Sequence, residues 1–373
     1  MAEGAVSERD LLYLLLRIPG LGRQRIRAIR EAYGSFAAAV ADWQNLSQKW
    51  KVAAAWAKSG EKWNPLAKAA ELARQRLAKG VNYLCFLDAD YPESLRHIPD
   101  PPLALFYRGN LSILQNPLAI GVVGSRKPSA YGQAACAQIV RELVQAGVVI
   151  VSGLAYGIDA AAHTAALDAG GKTIGVLGCG IDRIYPAGNR HLYRRMEKDG
   201  LLLSEYPPGT PALPGLFPER NRIISGLALG VLVVEAQKRS GSLITADCAL
   251  EQGKDVFAVP GPIFSGLSAG PHNLVKQGAK LVTSARDVLE EWEHLIPRAR
   301  AYDGLENTRM EPLSEAEQAV FQLISAEGLH FDVLLERLDA DKRPLLHHVL
   351  LLLEGKGLIA SLPGGFFARR QSS

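Results

Sequence analysis

Residues 124–127, Gly-Ser-Arg-Lys, follow an apolar run, Leu118–Val123, and precede apolar residues at Ala134, Ala137, Val140, Leu143 and Val144. The run reads as a buried strand, and a spacing near 3.6 predicts a helix after it. A strand that passes through glycine into a helix N-terminus collects anions, because free backbone N–H groups and the positive end of the helix dipole face the turn. Arg126 and Lys127 add full charges to Gly124 and Ser125. Two further stretches have the same character. Phe217–Gly226 places Arg220, Asn221 and Arg222 at the start of a helix, and Lys238-Arg239-Ser240-Gly241-Ser242 places a basic pair and hydroxyls at another. Several phosphate sites suit a polynucleotide better than a mononucleotide. Tyr131, Tyr156, Tyr185, Tyr206 and Phe217 offer rings for unpaired bases. Each arginine also has a structural alternative, an internal ion pair with Glu205, Glu219 or Glu235, and at least one of Arg220 and Arg222 is expected to be so used.

Other chemistries fit less well. A nicotinamide enzyme needs Gly-x-Gly-x-x-Gly and an acidic residue closing the second strand. Here the glycines are Gly121 and Gly124, and the second strand ends in Ser152-Gly153. Gly170-Gly171-Lys172-Thr173 imitates the end of a P-loop but precedes a strand. Asp159 is expected to cap a helix, and His163, in an Ala-rich helix, to pack rather than act as a base. Glu235, at a strand end, is the carboxylate best placed for chemistry. It resembles the acidic position of nucleotide N-glycosidases on similar sheets, so a nucleotide hydrolase is the alternative reading. Four scattered cysteines without a Cys-x-x-Cys pair predict neither metal nor disulfide. No cofactor is expected.

These residues need a frame to hold them together. Apolar runs at Leu118–Val123, Val148–Val151, Thr173–Leu177, Leu201–Leu203, Gly230–Val234, Asp255–Val259 and Lys280–Val282 alternate with helical stretches. That alternation predicts an α/β fold, a parallel sheet with helices on both faces, whose ligands bind beyond the carboxyl ends of the strands. Small and polar loops follow six of the seven runs, including Ser152–Asp159 with Gly153 and Gly157, and define one rim. Residues 1–80 read as a helical domain. Within it, Pro19-Gly20-Leu21-Gly22 followed by Arg23, Arg25 and Arg27 resembles a helix-hairpin-helix, although a plain glycine turn between bundle helices is the favoured explanation. Residues 81–117 read as a strand and an extended proline-punctuated segment leading into the central domain, which spans 81–292. Residues 293–312 read as a linker. Residues 313–373, three helices and a hairpin, have the winged-helix pattern.

Composition is that of a globular chain: 48% hydrophobic, 21% charged, net charge +4. No run reaches the ~18 apolar residues of a membrane span, and no secretory signal is visible, so a cytoplasmic location is expected. Residues 1–110 carry 16 basic and 11 acidic groups, whereas residues 291–373 carry 9 and 13. A polyanion would meet the front of the chain more readily than its tail, and the acidic winged helix suits a protein-contact or structural role.

Gly124-Ser125-Arg126, Ser152–Asp159, Ser204–Gly209, Phe217–Gly226 and Glu235–Thr245, in this order, closely resemble the DNA-processing protein A (DprA/Smf) family over about residues 85–290. The resemblance implies a homodimeric, cytoplasmic, single-stranded DNA-binding protein on an extended Rossmann-like sheet. An N-terminal sterile-alpha-motif-like domain and a C-terminal winged helix would flank it. It implies protection of incoming strands in natural transformation and loading of RecA recombinase onto DNA covered by single-strand-binding protein, without enzymatic activity. Carried onto this chain, Gly124, Ser125 and Arg126 would hold a phosphate, with Arg220, Asn221 and Arg222 lining the groove. Lys127, Gly153, Gly157, Arg190, Lys238, Arg239, Ser240 and Ser242 complete the expected DNA-binding set. Where relatives often carry a basic residue in the Ser-Gly-Leu-Ala-x-Gly loop, this chain has Tyr156.

Overall fold

All seven apolar runs become neighbouring strands of one sheet. The computed structural model describes residues 6–50, 64–293, 295, 313–325, 328–339, 343–355, 358–362 and 364–369. Residues 296–312, which carry most of the expected linker, lie outside them, as do 51–63 of the expected N-terminal helical domain. The chain forms two compact units, residues 1–302 and 303–373.

The first unit begins with helices α1 (Glu8–Leu16), α2 (Arg23–Tyr33), α3 (Phe36–Ala41), α4 (Trp43–Lys49) and α5 (Pro65–Ala78). Strand β1 (Asn82–Cys85), the short α6 (Glu93–Arg96) and β2 (Ala104–Gly109) follow. The α/β core comes next: β3 (Ala119–Val123), α7 (Ala130–Gln145), β4 (Val149–Ser152), α8 (Ile158–Asp168), β5 (Thr173–Leu177), α9 (Arg190–Asp199) and β6 (Leu201–Ser204). It continues through α10 (Leu216–Leu227), β7 (Gly230–Val233), α11 (Gly241–Glu251), β8 (Asp255–Ala258), α12 (Ala269–Lys276), β9 (Lys280–Leu281) and α13 (Ala285–Leu289).

The sheet order is β1-β2-β6-β5-β4-β3-β7-β8-β9. From β3 to β9 neighbouring strands are parallel, and β1 and β2 add an antiparallel edge. Every residue of β3, β4, β5, β6 and β7 is buried, which is why these strands read as unbroken apolar runs instead of alternating ones. Strand order runs outward from β3 in one direction as far as β6, then restarts at β7 on the other side. The reversal opens a crevice between the carboxyl ends of β3 and β7, the place where such sheets bind ligands.

Three details depart from the sequence reading. The extended segment before β3 contains a true strand, β2, whose register pairs Phe106 with both Tyr83 and Ser204. The buried stripe of α7 is Gly132, Cys136, Ile139, Val140, Leu143 and Val144, one step round from the expected face, with Ala134 exposed. The N-terminal helices share a core with the sheet: the Tyr13 ring lies 5.8 Å from Tyr83 and 6.0 Å from Phe106.

The second unit consists of α14 (Glu315–Leu323), β10 (Leu329–His330), α15 (Phe331–Arg337), α16 (Leu346–Gly355), β11 (Ile359–Leu362) and β12 (Phe366–Arg369). Ser314 and Glu317 form the capping box that opens α14. The hairpin gains a third strand, β10, paired with β12. Leu334, Leu346, Leu353 and Ile359 are fully buried and make this unit's own core.

Candidate nucleic-acid interface

The crevice between β3 and β7 is a cavity of about 660 Å³. The loop after β3 forms one wall. Ser125 N–H donates to Glu235 O at 2.6 Å, Ile158 N–H donates to Ser125 O at 3.1 Å, and Lys127 N–H donates to Ser125 Oγ at 3.1 Å. Ser129 caps α7 by accepting from Gly132 N–H. The Glu235 carboxylate is engaged at both oxygens: Ser129 N–H donates to Oε2 at 2.8 Å and Ser129 Oγ to Oε1 at 2.6 Å. Glu235 therefore fixes the loop from the neighbouring strand.

The loop after β4 presses on the first one. Gly157 has φ +78°, and a Cβ there would stand 2.2 Å from Ser125 O, so two backbones meet at a point only glycine permits. Leu154 is buried with φ +58°, a costly conformation for a side-chain-bearing residue and one that clusters at ligand sites. Asp159 occupies the first turn of α8, but Gly157 is the residue at its N-cap. The Asp159 carboxylate instead accepts from Ala155 N–H at 3.3 Å and folds the loop. Burial raises its pKa, and Arg220 opposes that shift.

The helix bearing Arg220, Asn221 and Arg222 treats the three differently. Arg220 lines the cavity but is only 5% exposed. Its Nη1 donates to Gly153 O and Val176 O, and a Cβ at Gly153 would collide with the guanidinium. It makes no ion pair within 4.0 Å among the described residues. Burial pushes its pKa down and Asp159 opposes this, yet a guanidinium remains charged in a protein. Asn221 accepts from Arg220 Nε and donates to Gly241 O, tying α10 to α11. Arg222 does not face the cavity. Its Nη2 donates to both oxygens of Glu205 at 2.7 and 2.9 Å, and its Nε to Asp100 at 3.2 Å, so its role is internal.

The exposed cations stand around this floor. Arg126 and Lys127 line the cavity, with the Arg126 guanidinium 5.8 Å from the Phe217 ring, which itself packs against Tyr185 at 5.3 Å. Ser240 caps α11 and shares a hydrogen bond with Ser242. Lys238 and Arg239 line an adjoining groove. None of Arg126, Lys127, Lys238 and Arg239 has an ion-pair partner among the described residues. Arg190 opens α9, exposed and outside the cavity lining. Of the rings expected to stack, Tyr185 and Phe217 line the cavity, Tyr131 and Tyr156 are exposed beyond it, and the Tyr206 hydroxyl donates to Leu216 O. The first turns of α8, α10 and α11 thus converge on one crevice with charged arginines in its floor and wall, whereas the N-terminus of α7 is closed by the Glu235 carboxylate. That arrangement can bind anionic oxygens by backbone N–H groups, helix dipoles and guanidinium groups together.

Sequence reasoning passed over Gln237, which lines the cavity, and the Glu235 contact with Ser129. The arginines of the glycine turn that resembles a helix-hairpin-helix are turned to structural tasks, in keeping with the favoured reading of a plain turn. Arg23 pairs with Asp100 at 2.6 Å and Glu219 at 3.1 Å, Arg25 donates to Gly20 O, and Arg27 to Pro101 O. His163 is buried with Nδ1 2.6 Å from Thr173 Oγ1. Because Thr173 donates to Ile150 O, the His163 ring must donate through Nδ1.

Residues 82–293 match the family model of DNA recombination-mediator protein A, and residues 306–365 match the DprA winged helix domain. The chain belongs to the DNA recombination-mediator protein A (DprA/Smf) family. Over 207 residues it is 54% identical to DNA processing protein DprA of Streptococcus pneumoniae, which covers 56% of this chain and 73% of that protein. The X-ray structure of Streptococcus pneumoniae DprA superposes with a TM-score of 0.64 at 42% identity, covering 76% of this chain and 97% of that one. DNA processing protein A of Helicobacter pylori superposes with a TM-score of 0.53 at 29% identity, covering 58% and 98%; its structure concerns a single-stranded DNA binding mode. No helix among the described residues is long and apolar enough to cross a membrane.

Proposed function

We propose that this member of the DprA/Smf family binds single-stranded DNA along the carboxyl rim of its sheet, as a DNA-processing protein of natural transformation. The observation that carries the reading is the convergence of Arg126, Lys127 and the buried Arg220 with several helix N-termini on one crevice, continued by the Lys238–Arg239 groove. A row of phosphate sites with two aromatic rings beside it, Tyr185 and Phe217, matches a strand of nucleotides better than one nucleotide. Gly124, Ser125, Arg126, Asn221 and Ser242 form the central grip, Gly153 and Gly157 set its spacing, and Lys238, Arg239 and Ser240 extend it. Arg190 is proposed as an outlying backbone contact. Protection of incoming strands, loading of RecA recombinase, an exchange with single-strand-binding protein, action as a homodimer in the cytoplasm and the absence of catalysis complete the proposal. The hydrolase alternative rested on Glu235, whose two oxygens are taken by Ser129.

The test is fluorescence anisotropy with labelled single- and double-stranded oligonucleotides across a salt series. Tighter binding of single strands, with little sequence preference and a steep loss with salt, is expected. Tighter binding of duplex at matched salt would overturn the reading, and release of free base from nucleoside monophosphates would restore the hydrolase.

A further inference from the structure

A second cavity, of about 480 Å³, lies between α2, the residues after β1 and the proline segment before β2. It shares no lining residue with the rim crevice. Three guanidinium groups meet there, and Glu31, which is exposed, is the sole acid among the lining residues. Two of the three are held by the fold. Arg27 donates to Pro101 O at 2.8 Å, and Arg96 donates to Phe86 O and Asp88 O while pairing with Glu93. Arg30 is not. Its guanidinium lies over the Phe86 ring at 5.0 Å and the Phe36 ring at 5.8 Å, its Nε is buried without an acceptor, and it makes no ion pair among the described residues. The Nε is shut in against the two rings, and the terminal nitrogens, which make no hydrogen bond among the described residues, are the charged donors left for a partner in the cavity.

The remaining walls are apolar and flat: Phe86, Pro101, Pro102 and Leu103. The Tyr91 hydroxyl is already spent on Pro102 O at 2.6 Å. The volume is that of a small-molecule site, larger than an inorganic anion needs. Cations on one side and ring-stacking surfaces on the other select one class of occupant. We propose that this cavity binds a small organic anion, a flat ring bearing a carboxylate or phosphate, with the ring against Phe86 and the Pro101–Pro102 wall and the charge on Arg30 and Arg27.

Calorimetric titration of the full chain with phenyl phosphate, benzoate and the neutral benzyl alcohol tests this. A saturable one-to-one site for at least one of the two anions is expected, with benzyl alcohol about tenfold weaker, and the preferred anion tells phosphate from carboxylate sources. Arg30→Met and Arg27→Gln should each weaken the anion about fivefold or more, whereas Arg126→Ala should leave it unchanged. Should Arg30→Met fail to fold, Arg27→Gln and magnetisation transfer from the Phe86 ring to the phenyl protons decide the matter. Absence of saturable binding, equal binding of benzyl alcohol, or loss in Arg126→Ala with retention in Arg30→Met would overturn the proposal.

Discussion

The Ser129 hydroxyl and amide both donate to the Glu235 carboxylate, at 2.6 and 2.8 Å, so the end of the anion-binding loop on β3 is clamped by the strand end of β7. Glu235 is only 4% exposed. Both oxygens act as acceptors, and an amide can replace only one of them. Glu235→Gln should therefore destabilise the fold by about 1–3 kcal/mol, because the amide either meets the Ser129 N–H with a donor or turns the Ser129 hydroxyl from donor to acceptor, and in both cases the charge-assisted bonds of a buried carboxylate are lost. It should also weaken oligonucleotide binding by loosening Ser125 and Arg126. Urea melts and anisotropy on the same sample check this; a variant with unchanged stability would show that the clamp contributes nothing.

Arg126→Ala separates grip from scaffold. Arg126 is exposed and makes no ion pair among the described residues, so stability should stay within about 0.5 kcal/mol of the parent. Loss of a charge-assisted phosphate contact should cost single-strand affinity about 1–3 kcal/mol and reduce the salt slope by about one. Anisotropy over a salt series, beside thermal melts, reads both quantities.

Arg222→Met should do the reverse. It strands the Glu205 carboxylate, 7% exposed, with which Arg222 now shares two hydrogen bonds. Breaking a buried pair from one side costs about 3–5 kcal/mol. Denaturant melts should reveal that loss, while refolded protein held well below its midpoint should keep most of its oligonucleotide affinity.

The contrast between Arg126, Arg220 and Arg222 shows what the sequence can and cannot express. The strands were legible because five of them are buried on both faces and read as plain apolar runs. The rim was legible because parallel strands place all their carboxyl ends together. The partners of the arginines were not. Arg222 meets Glu205 and Asp100, 17 and 122 positions away, and Arg220 fits where Gly153 leaves room. Such pairings are set by strand order, and local pattern carries no strand order. The same reason hid β2, whose partners Tyr83 and Ser204 lie on opposite sides of it in the chain, behind prolines that suggest a loop.

His163 links this core to pH. It is fully buried in α8 and donates through Nδ1 to Thr173. Burial, with a contribution from Arg220, pushes its pKa down to about 3. A histidine neutral in the folded state and near 6.5 when unfolded binds its proton preferentially in the unfolded chain. Its contribution is intact above pH 6.5 and is lost as pH falls toward 3, by up to about 1.4 kcal/mol per pH unit. His163→Gln removes the titrating group and can keep a donor toward Thr173. Urea midpoints measured at pH 7.5, 6 and 5 should fall steeply for the parent and more shallowly for His163→Gln; parallel slopes would show that the acid sensitivity of the fold arises elsewhere.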